Sequence, residues 1–335
     1  MKDLHIIGLG PDRPSQYRYV LGTVEPHPTD EVVLSLEDKI EEAHQILRDC
    51  FAEHEPIEVW GCFSGGYDSL VATHVAASSG LMTAAIHLNT GIGIEQTRQF
   101  VRDTSEKFDW KLLEYRADEY IRGDGTPDPQ IYEELVKERG FPGPPHHKKM
   151  FNRLKERPLN QAVREHKTDK YDRIMLVTGV RRDESQRRMG IEKPVDRAGA
   201  KVWVNPLLNW TKLDCRKYME LHDLPINEVV ELICMSGECL CGAFAHEGEL
   251  AEIELLFPDV AERIKKLERD CEFPWGWEGR PPEWWLRYQD GQNFLPGVEP
   301  EQLSESEIDE MMLCHDCKSR GHKRNFSPKI NNGEP

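Results

Sequence analysis

An α/β fold built around a parallel sheet is what this sequence predicts, and three features predict it. Short apolar runs alternate with helix-patterned stretches between residues 34 and 208. A glycine-rich loop stands between the first run and the helix after it. Finally, 38% apolar and 31% charged residues in a chain of 335 is a globular composition, long enough for one large or two medium domains at roughly 150 residues each.

The elements follow in order. Residues 1–33 read as an irregular lead-in rich in Pro, Gly and Asp. Leu34, Leu36, Ile40, Ala43 and Ile46 recur at helical spacing, so 34–51 is an amphipathic helix. The apolar run 57–63, bounded by Pro56 and Gly65, has the pattern of a buried strand. A helix opens near Asp68. Strands follow at 81–89 and 111–117, with a helix over 96–108 between them. A long, mostly helical insertion covers 128–170, before strands at 173–180 and 200–208. Strand and helix alternating at this spacing are βαβ units around a parallel sheet.

Charge excludes some functions and leaves others open. Forty-three Lys and Arg against 60 Asp and Glu give a net −17, so no overall basic field draws in nucleic acid or an anionic membrane. The charge is segregated, however. Residues 146–201 hold sixteen basic against eight acidic residues, while 243–313 hold six against eighteen. A basic middle can serve an anion-binding face or a salt-bridged surface. No run approaches the ~20 apolar residues of a membrane span, and the first residues lack a secretory apolar core. The expectation is a soluble, cytoplasmic protein with no membrane partner, its oligomeric state open.

Nine cysteines are too few for a disulfide scaffold in a chain of this length. Cys50, Cys62, Cys215 and Cys271 lie singly. Cys234, Cys239 and Cys241 form C-x4-C-x-C, and Cys314 and Cys317 form C-x2-C. Cys239, Cys241, Cys314 and Cys317 would suit tetrahedral zinc or an iron–sulfur cluster if the chain folds back between the pairs. Cys234 and Cys271 are reserves, or core fillers. Trp275, Trp277, Trp284 and Trp285 mark the tail as a packed subdomain.

The sharpest feature is Ser64-Gly65-Gly66-Tyr67-Asp68-Ser69, after a strand and opening a helix. Two glycines let a ligand approach the backbone, two serines offer hydroxyls, and a helix N-terminus presents free N–H groups to phosphate. An ordinary capped turn is the alternative. The loop is neither a Walker motif nor G-x-G-x-x-G. It resembles the S-G-G-x-D-S loop of the PP-loop ATP pyrophosphatase superfamily. The resemblance continues through His87-Leu88-Asn89-Thr90-Gly91 and Glu95-Gln96-Thr97. It extends to the K-x-x-P-L segment starting at Lys155, to Gly179-Val180-Arg181-Arg182-Asp183-Glu184-Ser185, to Asn205 through Thr211, and to Leu224-Pro225-Ile226-Asn227. These last segments are similar to the sulfonucleotide reductase branch. The resemblance implies a Rossmann-like sheet of the adenine nucleotide alpha hydrolase type and covers about half the chain.

It also implies roles. Ser64, Gly65, Gly66, Tyr67, Asp68 and Ser69, with Asn89, Thr90, Gly91 and Gly179, would hold ATP. Asp68 would orient a donor or position Mg2+, unless it only caps the helix. Arg181 and Arg182 would clamp phosphate or sulfate, or form surface ion pairs, with Glu184 holding one in register. Lys155 joins them as a catalytic candidate. Trp210 reads as packing. His146 and His147 beside Lys148 and Lys149 meet an anionic substrate or lie in a solvated loop. The basic stretch 318–324 reads as a terminus or a nucleic-acid-facing knuckle.

The sequence departs from a sulfonucleotide reductase at the nucleophile: neither E-C-G-x-H nor an adjacent Cys-Cys pair occurs, and Met150 stands near the place of that pair. The expected function is therefore ATP-dependent sulfur transfer, forming AMP and pyrophosphate, to an adenylated nucleic acid or nucleotide. A cysteine desulfurase or other sulfur donor would be its partner. Sulfonucleotide reduction, and a metal-stabilised module that binds nucleic acid or a partner, are the alternatives. The expected organisation is a lead-in and helix over 1–55, a nucleotide-binding domain over 56–232 and a cysteine-bearing, metal-binding subdomain over 233–335.

Overall fold

The structure is a computed structural model that describes residues 34–142, 147–184, 193–243, 245, 248–271 and 277. Six strands form one sheet in the order β3-β2-β1-β4-β6-β5. They are β1 (Glu58–Cys62), β2 (Ala84–Asn89), β3 (Leu112–Arg116), β4 (Ile174–Val177), β5 (Val195–Ala198) and β6 (Lys201–Val204). β1 pairs in parallel with both β2 and β4, β2 with β3, and β4 with β6.

Among the described strands only β5 runs antiparallel, as the edge strand beside β6. Its sequence, Val195-Asp196-Arg197-Ala198, carries no apolar alternation, and three of its four residues are exposed. Tertiary pairing rather than pattern makes it a strand, through a two-residue connection in which Gly199 takes φ +63°.

Side-chain alternation divides the core into two faces. Val59, Met175, Val177, Val202 and Val204 point to one face. There they meet Ala43 and Leu47 of α1 (Leu36–His54), Val71 and Val75 of α2 (Tyr67–Ser78), Val101 of α3 (Glu95–Lys107) and Tyr218 of α7 (Lys212–Leu221). Trp60, Ile174, Leu176 and Trp203 point to the other face, against Leu159, Ala162 and Val163 of α6 (Arg157–His166). Residues one apart in a strand serve opposite layers, which is why these strands read as nearly continuous apolar runs.

A third core joins the insertion to the later chain. Tyr132 and Val136 of α4 (Tyr132–Arg139) and Met150 of α5 (His147–Phe151) pack with Val229 and Ile233 of α8 (Glu228–Ile233). Leu250 and Ile253 of α9 (Glu249–Leu256) and Ile264 and Leu267 of α10 (Pro258–Asp270) complete it. Cys271 is buried here, its Sγ 3.4 Å from the Val136 carbonyl. Among the described residues, no helix is long and apolar enough to cross a membrane.

Candidate nucleotide site

Strand order places the site. β1 has β2 on one side and β4 on the other, and each of these connects onward in its own direction, so β1 and β4 flank the switch point of a doubly wound sheet. Ligands bind in the crevice that opens there beyond the carboxyl ends of the strands. The loop 63–66 leaves β1 and the loop 178–182 leaves β4 at this edge.

Ser64–Ser69 is internally braced. The Ser69 hydroxyl donates to the Gly66 carbonyl at 2.8 Å and accepts from the Ser64 backbone N–H at 3.2 Å. Gly65 has φ +82°, and a Cβ there would stand 2.5 Å from Thr97 Cγ2. Gly66 differs. The nearest atoms to a Cβ on it would be Ser236 Cβ at 3.7 Å and the Ser64 and Ser69 hydroxyls at 3.9 Å. The protein leaves a cradle between two hydroxyls at the opening of α2, where N–H groups and the helix dipole favour an anion. The donor set and the space fit a nucleotide phosphate.

Asp68 lies in the first turn of α2, whose N-cap is Gly66, and it does not cap the helix. It accepts from Arg181 at 3.0 Å. Arg181 is only 4% exposed and also lies 3.7 Å from Asp183. Arg182 turns elsewhere, its side chain donating to Asn209. The two arginines therefore diverge, one towards the nucleotide loop and one towards the connection after β6. At Gly179 a Cβ would stand 2.4 Å from the Asp68 carbonyl, so its missing side chain serves the close approach of two protein loops.

Lys155 is buried in a π-helical turn, Asn152–Glu156, between α5 and α6. His147 is buried in α5, and His146 lies outside the described residues. So do Ser185, the Glu184 side chain, Cys314, Cys317 and the stretch 318–324.

At the end of β2, the Asn89 amide donates to Glu114 at 2.7 Å, and its oxygen accepts from the Gly91 N–H at 3.0 Å. The Arg102 guanidinium, donating twice to Glu114, holds that carboxyl down to about 2. Thr90 is buried. Its backbone N–H donates to Glu238 Oε1 at 2.9 Å, and its hydroxyl donates to the Glu238 carbonyl at 2.6 Å.

The sequence places Thr97 and Asn227 in segments of the resemblance and Glu238 beside Cys239 without giving any of them a role, and it does not single out Ser236 or Arg98. The Asn227 amide donates to the Gly65 carbonyl at 2.9 Å and to Thr97 Oγ1 at 3.2 Å, while its oxygen caps α8 by accepting from Val229 N–H. Thr97 then donates to the Ser236 carbonyl. Glu238 is 1% exposed, with Arg98 Nε at 3.3 Å and His87 Nε2 at 3.6 Å from its Oε2. Burial opposes charge on the His87 ring, but Glu238 and the Phe63 carbonyl outweigh it, so the pKa of His87 is raised above its ordinary value. An E-C-L-C stretch in which the acid sits beside two cysteines was the available signal.

Cys239, half-buried, and Cys241, buried, follow directly. Tyr132 donates to the Cys241 carbonyl at 2.9 Å. Among the described residues, no group of three or more His, Cys, Asp or Glu is arranged to hold a metal ion. Burial pushes the Cys62 thiol, just before the loop, up to about 12, so it is a poor thiolate source.

A doubly wound sheet with a two-glycine loop and a buried arginine paired with Asp68 at its switch point defines a nucleotide-site α/β protein of the PP-loop kind. The chain belongs to the phosphoadenosine phosphosulfate reductase domain family, whose sequence pattern matches residues 58–236. It is 24% identical over 195 residues to an adenosine 5'-phosphosulfate reductase of Burkholderia cepacia, covering 56% of this chain and 70% of that one. It is 31% identical over 104 residues to an uncharacterized 37.8 kDa protein of Escherichia phage 186, covering 30% of this chain and 31% of the phage protein. A match to an uncharacterized protein of Methanocaldococcus jannaschii spans 52% of that protein's length. Among solved structures, a phosphoadenylyl-sulfate reductase from Candida auris aligns with a TM-score of 0.40 at 17% identity, over 60% of this chain and 93% of that one. An NMN synthetase from Francisella tularensis aligns with a TM-score of 0.45 at 15% identity, over 89% and 100%.

Proposed function

We propose that this chain binds ATP at Ser64–Ser69 and uses it for sulfur transfer. An acceptor oxygen attacks the α-phosphorus, pyrophosphate leaves, and sulfur from a donor then displaces AMP. The observation that carries the reading is the Gly66 cradle at the switch point, with the 236–241 segment against it. In this reading the Ser64 and Ser69 hydroxyls and the N-terminal N–H groups of α2 hold the phosphates and stabilise charge developing on pyrophosphate. Asp68, oriented by Arg181, is the carboxylate that would meet Mg2+. The basic residues of 146–201 favour a polyanionic acceptor, a nucleic acid or nucleotide.

Cys239 and Cys241 would supply two thiolates to an iron–sulfur cluster, or to zinc, with Cys314 and Cys317 supplying the others. Such a group would handle sulfur or staple the tail. A cysteine desulfurase or comparable persulfide source is the donor partner this chemistry requires.

The test supplies ATP, Mg2+, a labelled persulfide donor and candidate nucleic acids, and looks for AMP, pyrophosphate and label in the acceptor. A second reading, reduction of a sulfonucleotide, is favoured by the family and by the reductase relative, whose alignment spans more than half of this chain. Sulfite released from a sulfonucleotide, without ATP-dependent labelling, would select it.

A further inference from the structure

We infer that Glu238 is a positioning residue that couples occupancy of the nucleotide loop to the order of the cysteine-bearing segment 236–241. The inference rests on the nucleotide reading of Ser64–Ser69 and adds a mechanical link that this reading does not require.

Three contacts tie the segment to the carboxyl edge of the sheet. Ser236 lies under Gly66 and accepts from Thr97, which also contacts the Asn227 amide that holds the Gly65 carbonyl. The Gly237 carbonyl accepts from the Ile94 N–H at 2.9 Å, at the start of α3. Glu238 then takes both donors of Thr90, and its carboxylate faces Arg98 and His87. His87 Nδ1 lies 2.9 Å from the carbonyl of Phe63, the residue immediately before the loop. Glu238 therefore reaches the end of β2 directly and the residue after β1 through the His87 ring. Gly93 keeps this approach open, since a Cβ there would stand 2.6 Å from the Glu238 carbonyl oxygen.

Burial makes the anchor strong and one-sided. A carboxylate 1% exposed is tolerated because the Arg98 guanidinium, the His87 ring and a backbone N–H face it. Releasing it into solvent means breaking all of these contacts together, so the segment behaves as docked or undocked. Phosphate on the Gly65–Gly66 backbone fixes the surface that Ser236 packs on and the carbonyl that Asn227 holds. It thereby favours the docked form, and reciprocity requires that docking favour nucleotide equally.

Amide hydrogen exchange followed by mass spectrometry, on the full chain as purified with and without ATP, tests this. In the wild type, ATP slows exchange in peptides covering 62–70 and also in those covering 234–243, the latter by about fivefold or more. Glu238→Gln keeps an acceptor for Thr90 but removes the charge facing Arg98 and His87. By the same reciprocity it should bind ATP about fivefold or more weaker than wild type, and at saturating ATP keep protection of 62–70 but lose it in 234–243. A residue with a merely structural role would raise exchange by the same factor in both states and leave the ATP-induced slowing of 234–243 intact. Arg98→Gln, which leaves the carboxylate in place, gives the same selective loss and serves if Glu238→Gln does not fold. Equal ATP protection of 234–243 in either folded variant and the wild type overturns the coupling alone, as does wild-type protection confined to 62–70. Failure of the wild-type chain to bind any adenine nucleotide overturns the nucleotide reading and the coupling with it.

Discussion

Arg181 donates to Asp68 across 3.0 Å, joining the loop after β4 to the first turn of α2. The pair spans 113 residues of sequence and lies where the sheet changes direction. An arginine this buried orients its partner more readily than it meets bulk solvent, so its contribution to the site passes through the Asp68 carboxylate.

Replacing Arg181 therefore has a defined signature. Arg181→Met should lower the unfolding free energy by about 1–3 kcal/mol by leaving a part-buried carboxylate without its donor. Arg181→Lys keeps the charge but loses the planar fork, so kcat/KM should fall more than ATP affinity. Thermal melts and steady-state kinetics on both variants check this; normal turnover with lysine would remove Arg181 from any positioning role.

The two glycines of the site should respond oppositely. Gly66→Ala places its Cβ no closer than 3.7 Å to protein, so the fold should tolerate it while ATP affinity drops by about tenfold or more. Gly179→Ala drives a Cβ to 2.4 Å from the Asp68 carbonyl and should destabilise the protein by about 1–3 kcal/mol. Calorimetric titration with ATP and melting curves separate the effects. A destabilised Gly66→Ala with intact affinity would mean that the cradle is packing space.

Away from the site, His74 sets a pH dependence of stability. Burial, then the neighbouring His222 and His44, depress it from 6.5 to about 4. Tyr218 hydrogen-bonds its Nδ1 at 2.9 Å, and Phe108 and Trp110 line it from the other side. The folded state thus holds the neutral ring. Its contribution is complete above pH 6.5 and is lost as pH falls towards 4, because the unfolded chain takes up the proton first. Melting temperature measured from pH 7 to pH 4 should fall more steeply in the wild type than in His74→Gln. Parallel curves would assign the acid sensitivity to other groups.

Metal content checks the cysteine proposal. Anaerobically purified wild type should carry iron with broad absorption near ~400 nm, or one zinc without colour. Cys239→Ser and Cys317→Ser should each release it. Full metal in both variants would point to another set of ligands or to a structural role for these thiols.

The sheet was legible wherever burial imposed a pattern. Strands β1, β2 and β4 are covered on both faces, and their apolar runs located them within a few residues. The loop was legible because two glycines between serines, after a strand, have few purely structural uses. β5 was missed because an exposed edge strand has no apolar code of its own. Glu238, Thr97 and Asn227 escaped as a set for a different reason. Each is an ordinary polar residue whose meaning comes from partners 130 to 162 positions away, as in Asn227 with Thr97 and with Gly65, and one sequence carries no record of such pairings.

Those separations bear on how the molecule is made. The Gly65 carbonyl waits 162 residues for the Asn227 amide, and Thr90 waits 148 for Glu238. During synthesis the loop leaves the ribosome long before the side chains that close around it. A nascent chain stopped before residue 227 would have all six strands but an unbraced loop with an unpaired carbonyl. Such long-range closure slows folding, because chain entropy must be lost before the contacts form. The site is thus the last part of the sheet edge to be completed, and a shortened chain keeping the whole S-G-G-Y-D-S motif should still lack the geometry that makes it a site.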